Sequence, residues 1–264
     1  MSVAQRIVGE RLVVLGWGRA ILMQLAHPLV AAGVDEHSTF RASAVAPVRR
    51  LHATIQTMLA LSFGTPAEVA EAAARINRIH DRVHGALGET AGRFPAGTGY
   101  SAHDPDLLTW VELTLVESLP LAYETFIAPL AASDRDAWCQ EARSVAPLLG
   151  VPPDRLPATY DEVRAAVRDR LESGELAVSG TARRLAKSVL HPPLAALAFP
   201  WSRLNRLATV GLLPPALREQ YKVAWTPADA RALDRWARAT RAIAAGTPAG
   251  LRRWRAARRA ARAM

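Results

Sequence analysis

Seven histidines occur in this chain of 264 residues, and six of them precede residue 104. Imidazole ligates metals and moves protons near neutral pH, so the crowding places any such chemistry in the N-terminal half. His80 and His84 are four apart in a stretch, 66–87, where Val69, Ala73, Ile76, Val83 and Leu87 recur at helical spacing. On a helix that spacing sets both imidazoles on one face. Zinc enzymes use it within His-Glu-x-x-His, but here the run is His80-Asp81-Arg82-Val83-His84. Two other readings remain. One is a core histidine with its hydrogen bonds satisfied. The other is an axial ligand to haem, which needs one imidazole emerging from an apolar wall.

Further polar residues interrupt apolar patterns. Arg50 and Thr54 are spaced by four on a segment with Leu51, Ile55, Met58 and Leu59. There the arginine can hold a carboxylate or propionate, or lie along the surface. The threonine can donate to a bound ligand or bond back to its own helix. His27 lies in an apolar run and is followed by Pro28, which frees the carbonyl of Gln24 and predicts a kink. Glu36 and His37 follow at that helix's end, as cap or site residues. Glu112 and Glu117 sit in an otherwise apolar helix, where a carboxylate must find a partner or shift its pKa. Their spacing of five does not make a catalytic pair.

The elements that must position these residues are helical. Half of the chain is apolar, no convincing alternating segment predicts a strand, and capping patterns such as Thr65-Pro66-Ala67-Glu68, Asp104-Pro105-Asp106, Ser133 with Asp136, and Thr226-Pro227 with Asp229 mark helix starts. The pattern predicts helices near 4–15, 17–33, 46–63, 66–87, 105–131, 134–149, 160–173, 179–190, 194–209, 215–222, 227–245 and 248–262. The fold class is therefore all-α, a single multi-helix domain. Prolines at 192–193 and 214–215 suggest a catalytic body over 1–190 and a C-terminal helical extension over 191–264 packed on it.

Composition narrows the function. Cys139 is the sole cysteine, which excludes an intramolecular disulfide and a cysteine-held metal cluster. With Glu10, Arg11 and Arg19 interrupting the N-terminal apolar run, a cytoplasmic location is expected. Nucleotide-binding glycine loops and the serine-hydrolase elbow are missing in suitable contexts. The net charge is +9, and all but two of the 33 basic residues are arginines. Six of these lie in 251–264 without an acid. That tail is a solvated helix, or a contact for a membrane surface or a nucleic acid. Specific nucleic-acid recognition is not expected, because no recognition-helix pattern accompanies it.

The runs GRAILMQLAHPLVAAGVDEHSTF (18–40), RRLHATIQTMLALSFGT (49–65), INRIHDRVHG (76–85), YSAHDPDLLTWVELTLVES (100–118) and LLGVPPDRLPATYDEV (148–163), in this order and spacing, resemble the rubber-oxygenase-like, MpaB oxygenase family. The resemblance implies an all-α, globin-like arrangement around a haem b pocket. It implies His80 as the axial ligand to the iron, with His84 as competitor and His27 nearby. It implies Arg50 and Thr54 beside the haem, and Glu36 as a catalytic carboxylate. The partners it implies are dioxygen and a hydrophobic small molecule, isoprenoid-like or a secondary metabolite. Where many members read Trp-Val-His-Ala-Thr, this chain reads Trp110-Val111-Glu112-Leu113-Thr114. The carboxylate of Glu112 thus becomes a further catalytic candidate, and the exchange is consistent with altered substrate choice or with loss of haem. The rival to a haem oxygenase is a haem-free helical carrier of an apolar ligand. A third reading is a surface protein working through its basic tail.

Overall fold

The structure is a computed structural model that describes residues 1–37, 46–191 and 201–262, without the side chains of 46–51 and 262. It is all-α, with one small hairpin. The helices are α1 (Val3–Val8), α2 (Leu15–Leu25), α3 (Pro28–His37), α4 (Ala46–Phe63), α5 (Pro66–His80), α6 (Pro105–Phe126), α7 (Ala132–Val145), α8 (Tyr160–Glu172), α9 (Gly180–Leu190), α10 (Trp201–Leu212), α11 (Pro215–Tyr221), α12 (Pro227–Gly246), α13 (Ala249–Arg252) and α14 (Arg255–Arg262). Strands β1 (His84–Ala86) and β2 (Gly99–Ser101) pair antiparallel.

The core forms where α2 crosses α6. The Trp110 indole donates to the Met23 carbonyl at 3.2 Å, Arg19 reaches Glu117 and Ser118 at 2.6 Å each, and Gly16 lies against Ser118 and Ala122. Falling numbers on one helix meet rising numbers on the other, so the pair is antiparallel. On its other side α2 meets α10 at Gly18, where an added Cβ would lie 2.0 Å from Thr209 Oγ1, so only glycine lets the backbones approach. Pro120 inside α6 cannot donate to the Val116 carbonyl, and the Trp138 indole of α7 takes that acceptor at 2.9 Å.

Several expected boundaries differ. The segment 17–33 is two helices, because at His27-Pro28 the chain bends by 107° between α2 and α3 rather than merely kinking. The Gln24 carbonyl freed by Pro28 accepts from the His27 amide at 3.1 Å. The expected helix 66–87 stops at His80, and its continuation is β1, so the prediction of no strands is corrected as well. Val83 and Leu87 kept the helical spacing, but they pack with Leu29, Tyr100 and Leu107 in a second, smaller apolar cluster that only the hairpin can build. Helix α7 starts without a side-chain cap at Ala131, ahead of Ser133 and Asp136. Among the described residues no single helix is long and apolar enough to cross a membrane.

Candidate functional site

Helix α5 opens on a capping box in which the Thr65 hydroxyl accepts from the Glu68 amide and the Glu68 carboxylate accepts from the Thr65 amide, with Pro66 in the first turn. It closes at His80, and the hairpin then registers His84 opposite Ser101 and Gly85 opposite Tyr100. This register folds His103 back over the end of α5. Its Nε2 lies 2.8 Å from Asp81 Oδ1, and its ring meets the His80 ring edge-on at 5.9 Å. His80 Nδ1 is buried without a hydrogen-bond partner among the described residues. Burial lowers the His80 pKa, nearby His103 lowers it further, and Asp81 opposes both. The ring is therefore neutral at pH 7, the form that ligates metal.

The end of α3 meets the other face of the hairpin. Tyr100, itself buried, donates its hydroxyl to Glu36 Oε2 in a short bond. Burial and then the Glu36 carboxylate raise the phenol's pKa, so it stays a donor. His37 Nε2 lies 3.1 Å from the His84 carbonyl, and its ring stands edge-on to Tyr100 at 6.3 Å. Gly85 makes this approach possible, since a Cβ there would lie 2.6 Å from the Tyr100 hydroxyl and 2.9 Å from Glu36 Oε2.

Two further titratable groups are enclosed. His27, at the break between α2 and α3, is 2% exposed, and its Nδ1 has no hydrogen-bond partner among the described residues. Its ring tilts against Phe94 at 5.3 Å. Burial, with Arg170 and Arg93 adding to it, lowers its pKa to about 4. Glu112 keeps some surface exposure as a residue, but protein encloses its carboxyl group and pushes its pKa up to about 7. Among the described residues it has no hydrogen bond or ion pair. Glu117, by contrast, is held by Arg19. Glu112 lies two turns before Leu119 on one face of α6. Leu119 lines a small apolar cavity with Ile55, Met58 and Leu59 of α4.

The structure thus sorts the sequence candidates. Glu36, His37 and the backbone of His84 meet around Tyr100. His80 meets Asp81 and His103. The His80–His84 pair does not share a helix face, because His84 sits exposed on β1. Arg50 and Thr54 share α4, whose bounds match the expected 46–63. Thr54 is exposed, and the Arg50 side chain lies outside the described residues. Among the described residues, no group of three or more histidine, cysteine or carboxylate side chains could hold a metal ion. Sequence reasoning overlooked Tyr100, Asp81 and the part played by His103. The only trace was their place in the runs 76–85 and 100–118, since the contacts depend on strand register.

A family model described as ER-bound oxygenase mpaB/B'/rubber oxygenase, catalytic domain, matches residues 5–242. No curated protein and no solved structure matches the chain.

Proposed function

Because the chain belongs to the mpaB/rubber oxygenase catalytic-domain family, a family of oxygenase domains, we propose that it is a haem b-dependent oxygenase acting on a hydrophobic small molecule with dioxygen as co-substrate. One observation carries the haem assignment. His80 offers a mostly enclosed, neutral imidazole at the end of a helix, with a buried nitrogen that none of the described residues satisfies. Buried polar atoms normally have a partner, and a one-histidine donor set suits haem better than a multi-ligand ion. Bound at His80, haem b would supply the oxygen-activating redox chemistry.

The chain's own residues do the rest. The His103–Asp81 pair stands beside the His80 ring and limits its rotation. Tyr100 holds the Glu36 carboxylate in one orientation, ready to accept a proton from substrate. Glu112, with a pKa of about 7, can give or take a proton at neutral pH. Arg50 and Thr54, both on α4, would anchor a haem propionate and donate a hydrogen bond. The apolar-carrier reading has one observation in its favour. A cavity of about 70 Å³ lies between α2, α3 and α9, lined by Ile21, Leu25, Val30, Val34 and Leu185, with Gln24 polar at its wall.

The test is the visible spectrum and pyridine haemochrome content of protein expressed with a haem precursor. A Soret band with near-stoichiometric haem is expected for the wild type and for His84→Ala, and loss of both for His80→Ala. Full haem occupancy in His80→Ala overturns the ligand assignment. A wild type that takes up no added hemin hands the reading to the carrier.

A further inference from the structure

The charge of the chain is concentrated at its C-terminal end. Residues 227–264 hold ten arginines and two aspartates, a net +8 of the whole chain's +9. The last part, 243–264, lies beyond the residues that the family model matches. It is nevertheless fixed to the body. Glu10, 2% exposed, accepts from Arg252 Nη1 and Arg253 Nε at 2.8 Å each. The Trp254 amide donates to the Gly9 carbonyl at 3.0 Å, and Ala257 packs fully buried against Gly9.

This docking decides which way α14 faces. Its sequence, RAARRAAR, puts Arg255, Arg258, Arg259 and Arg262 at i, i+3, i+4 and i+7, one stripe opposite the buried Ala257. Arg255 and Arg259 are exposed, and Arg258 reaches back to the Gly250 carbonyl at 3.0 Å beside Leu251. Large apolar side chains are exposed at the same corner. Leu251 is 67% exposed and Met1, in contact with Arg253, is 49% exposed.

We propose that this corner, α13 and α14 with Met1, is a docking surface for a membrane rich in anionic lipid. Arginines pair with lipid phosphates, while isolated leucine and methionine side chains enter the acyl boundary. A nucleic-acid surface would instead offer stacking or base-reading groups beside its arginines. The nearby aromatic, Trp254, is turned inward to line the cavity against Leu119, with Arg11 over its ring. Docking would bring an oxygenase of apolar substrates to the phase in which such substrates dissolve. That purpose rests on the proposed function, but the binding itself does not.

The experiment is co-sedimentation of the full-length protein with vesicles of phosphatidylcholine alone and of phosphatidylcholine mixed with phosphatidylglycerol. Binding is expected only to the mixed vesicles, and it should weaken as salt is raised. Removing one arginine near the surface is expected to weaken it roughly fivefold. The double variant Arg255→Gln/Arg259→Gln, which leaves the Glu10 contacts in place, should therefore lose about 25-fold. Leu251→Glu should also weaken it. Equal binding to both vesicle types, or indifference to these substitutions, overturns the proposal. So does duplex DNA bound as tightly as the anionic vesicles with Leu251→Glu neutral to both. Haem content and activity do not enter these readouts, so failure here leaves the oxygenase reading standing.

Discussion

Two buried polar regions of this molecule are built by opposite rules. Between α2 and α6, Arg19 gives Nη2 to Glu117, Nη1 to Ser118 and Nε to the Leu212 carbonyl, all within 2.7 Å, so its charge is fully matched. By contrast, the side chains of His27, His80 and Glu112 make no hydrogen bond or ion pair among the described residues. Elsewhere the unsatisfied buried atoms are of another kind. Thr209's hydroxyl is pressed on Gly18, Arg6 Nη2 lies 2.6 Å from the Asp134 carboxylate in an ion pair, and Arg252 holds Glu10 through Nη1. Burying an unpaired charge is expensive, and a titratable group escapes that cost by becoming neutral. Burial shifts His27 and His80 down and Glu112 up, each toward its neutral form. The first region is therefore about holding the fold. The second set is held neutral instead, with its side chains left unpaired.

The comparison breaks most visibly at Arg19. Arg19→Ala strands the Glu117 carboxylate in the core, and removal of one member of a buried pair costs about 3–5 kcal/mol. Urea denaturation measures it, and a loss under about 1 kcal/mol would erase the contrast. Glu112→Gln should act the other way. The folded pKa near 7 lies above the ordinary 4.5, so as pH rises through this window the unfolded chain ionises first and the folded state loses ground. The penalty is complete above pH 7 and absent below 4.5. The variant should therefore be more stable than wild type at pH 8, by at most about 3 kcal/mol, and equal to it at pH 4. His27 has the opposite sign. Its folded pKa near 4 lies below the ordinary 6.5, so its contribution is fully present above pH 6.5 and is lost as pH falls toward 4. His27→Leu should flatten the acid side of the stability curve by about 2 kcal/mol at pH 5. In the wild type these two slopes oppose each other between pH 4.5 and 6.5, so the single variants should reveal a dependence that the parent partly conceals.

How far such contrasts could be read from sequence depends on the range of the interaction. The capping boxes at Thr65–Glu68 and Thr226–Asp229 and the bounds of α4 were legible, because a cap is settled within four residues. The helix through His84 was not. Val83 and Leu87 keep helical spacing, and what ends the helix is pairing with β2, thirteen to seventeen positions away, around a tyrosine that only Gly85 admits. The site behaves alike. Glu36, His80 and Glu112 stood out as polar residues in apolar runs. Tyr100 and His103 carry no such mark, since their meaning comes from the register that lays them on Glu36 and His80. Arg19 was seen only as a charge interrupting an apolar run, and its partner is ninety-eight residues away.

The finest test of the comparison separates support of the fold from tuning of the site. His103 and Asp81 are both largely exposed, so their contact contributes little stability, about 1 kcal/mol or less. Their effect on His80 is distinct, because His103 lowers its pKa while Asp81 raises it. His103→Ala should therefore raise the His80 pKa and Asp81→Asn should lower it, with unfolding midpoints close to wild type in both. Titration of the His80 ring protons by NMR in haem-free protein reads this directly. A pair that served only to tie the hairpin to α5 would destabilise both variants and leave the His80 titration in place. Shifts in opposite directions without loss of stability would assign the pair to the imidazole it faces.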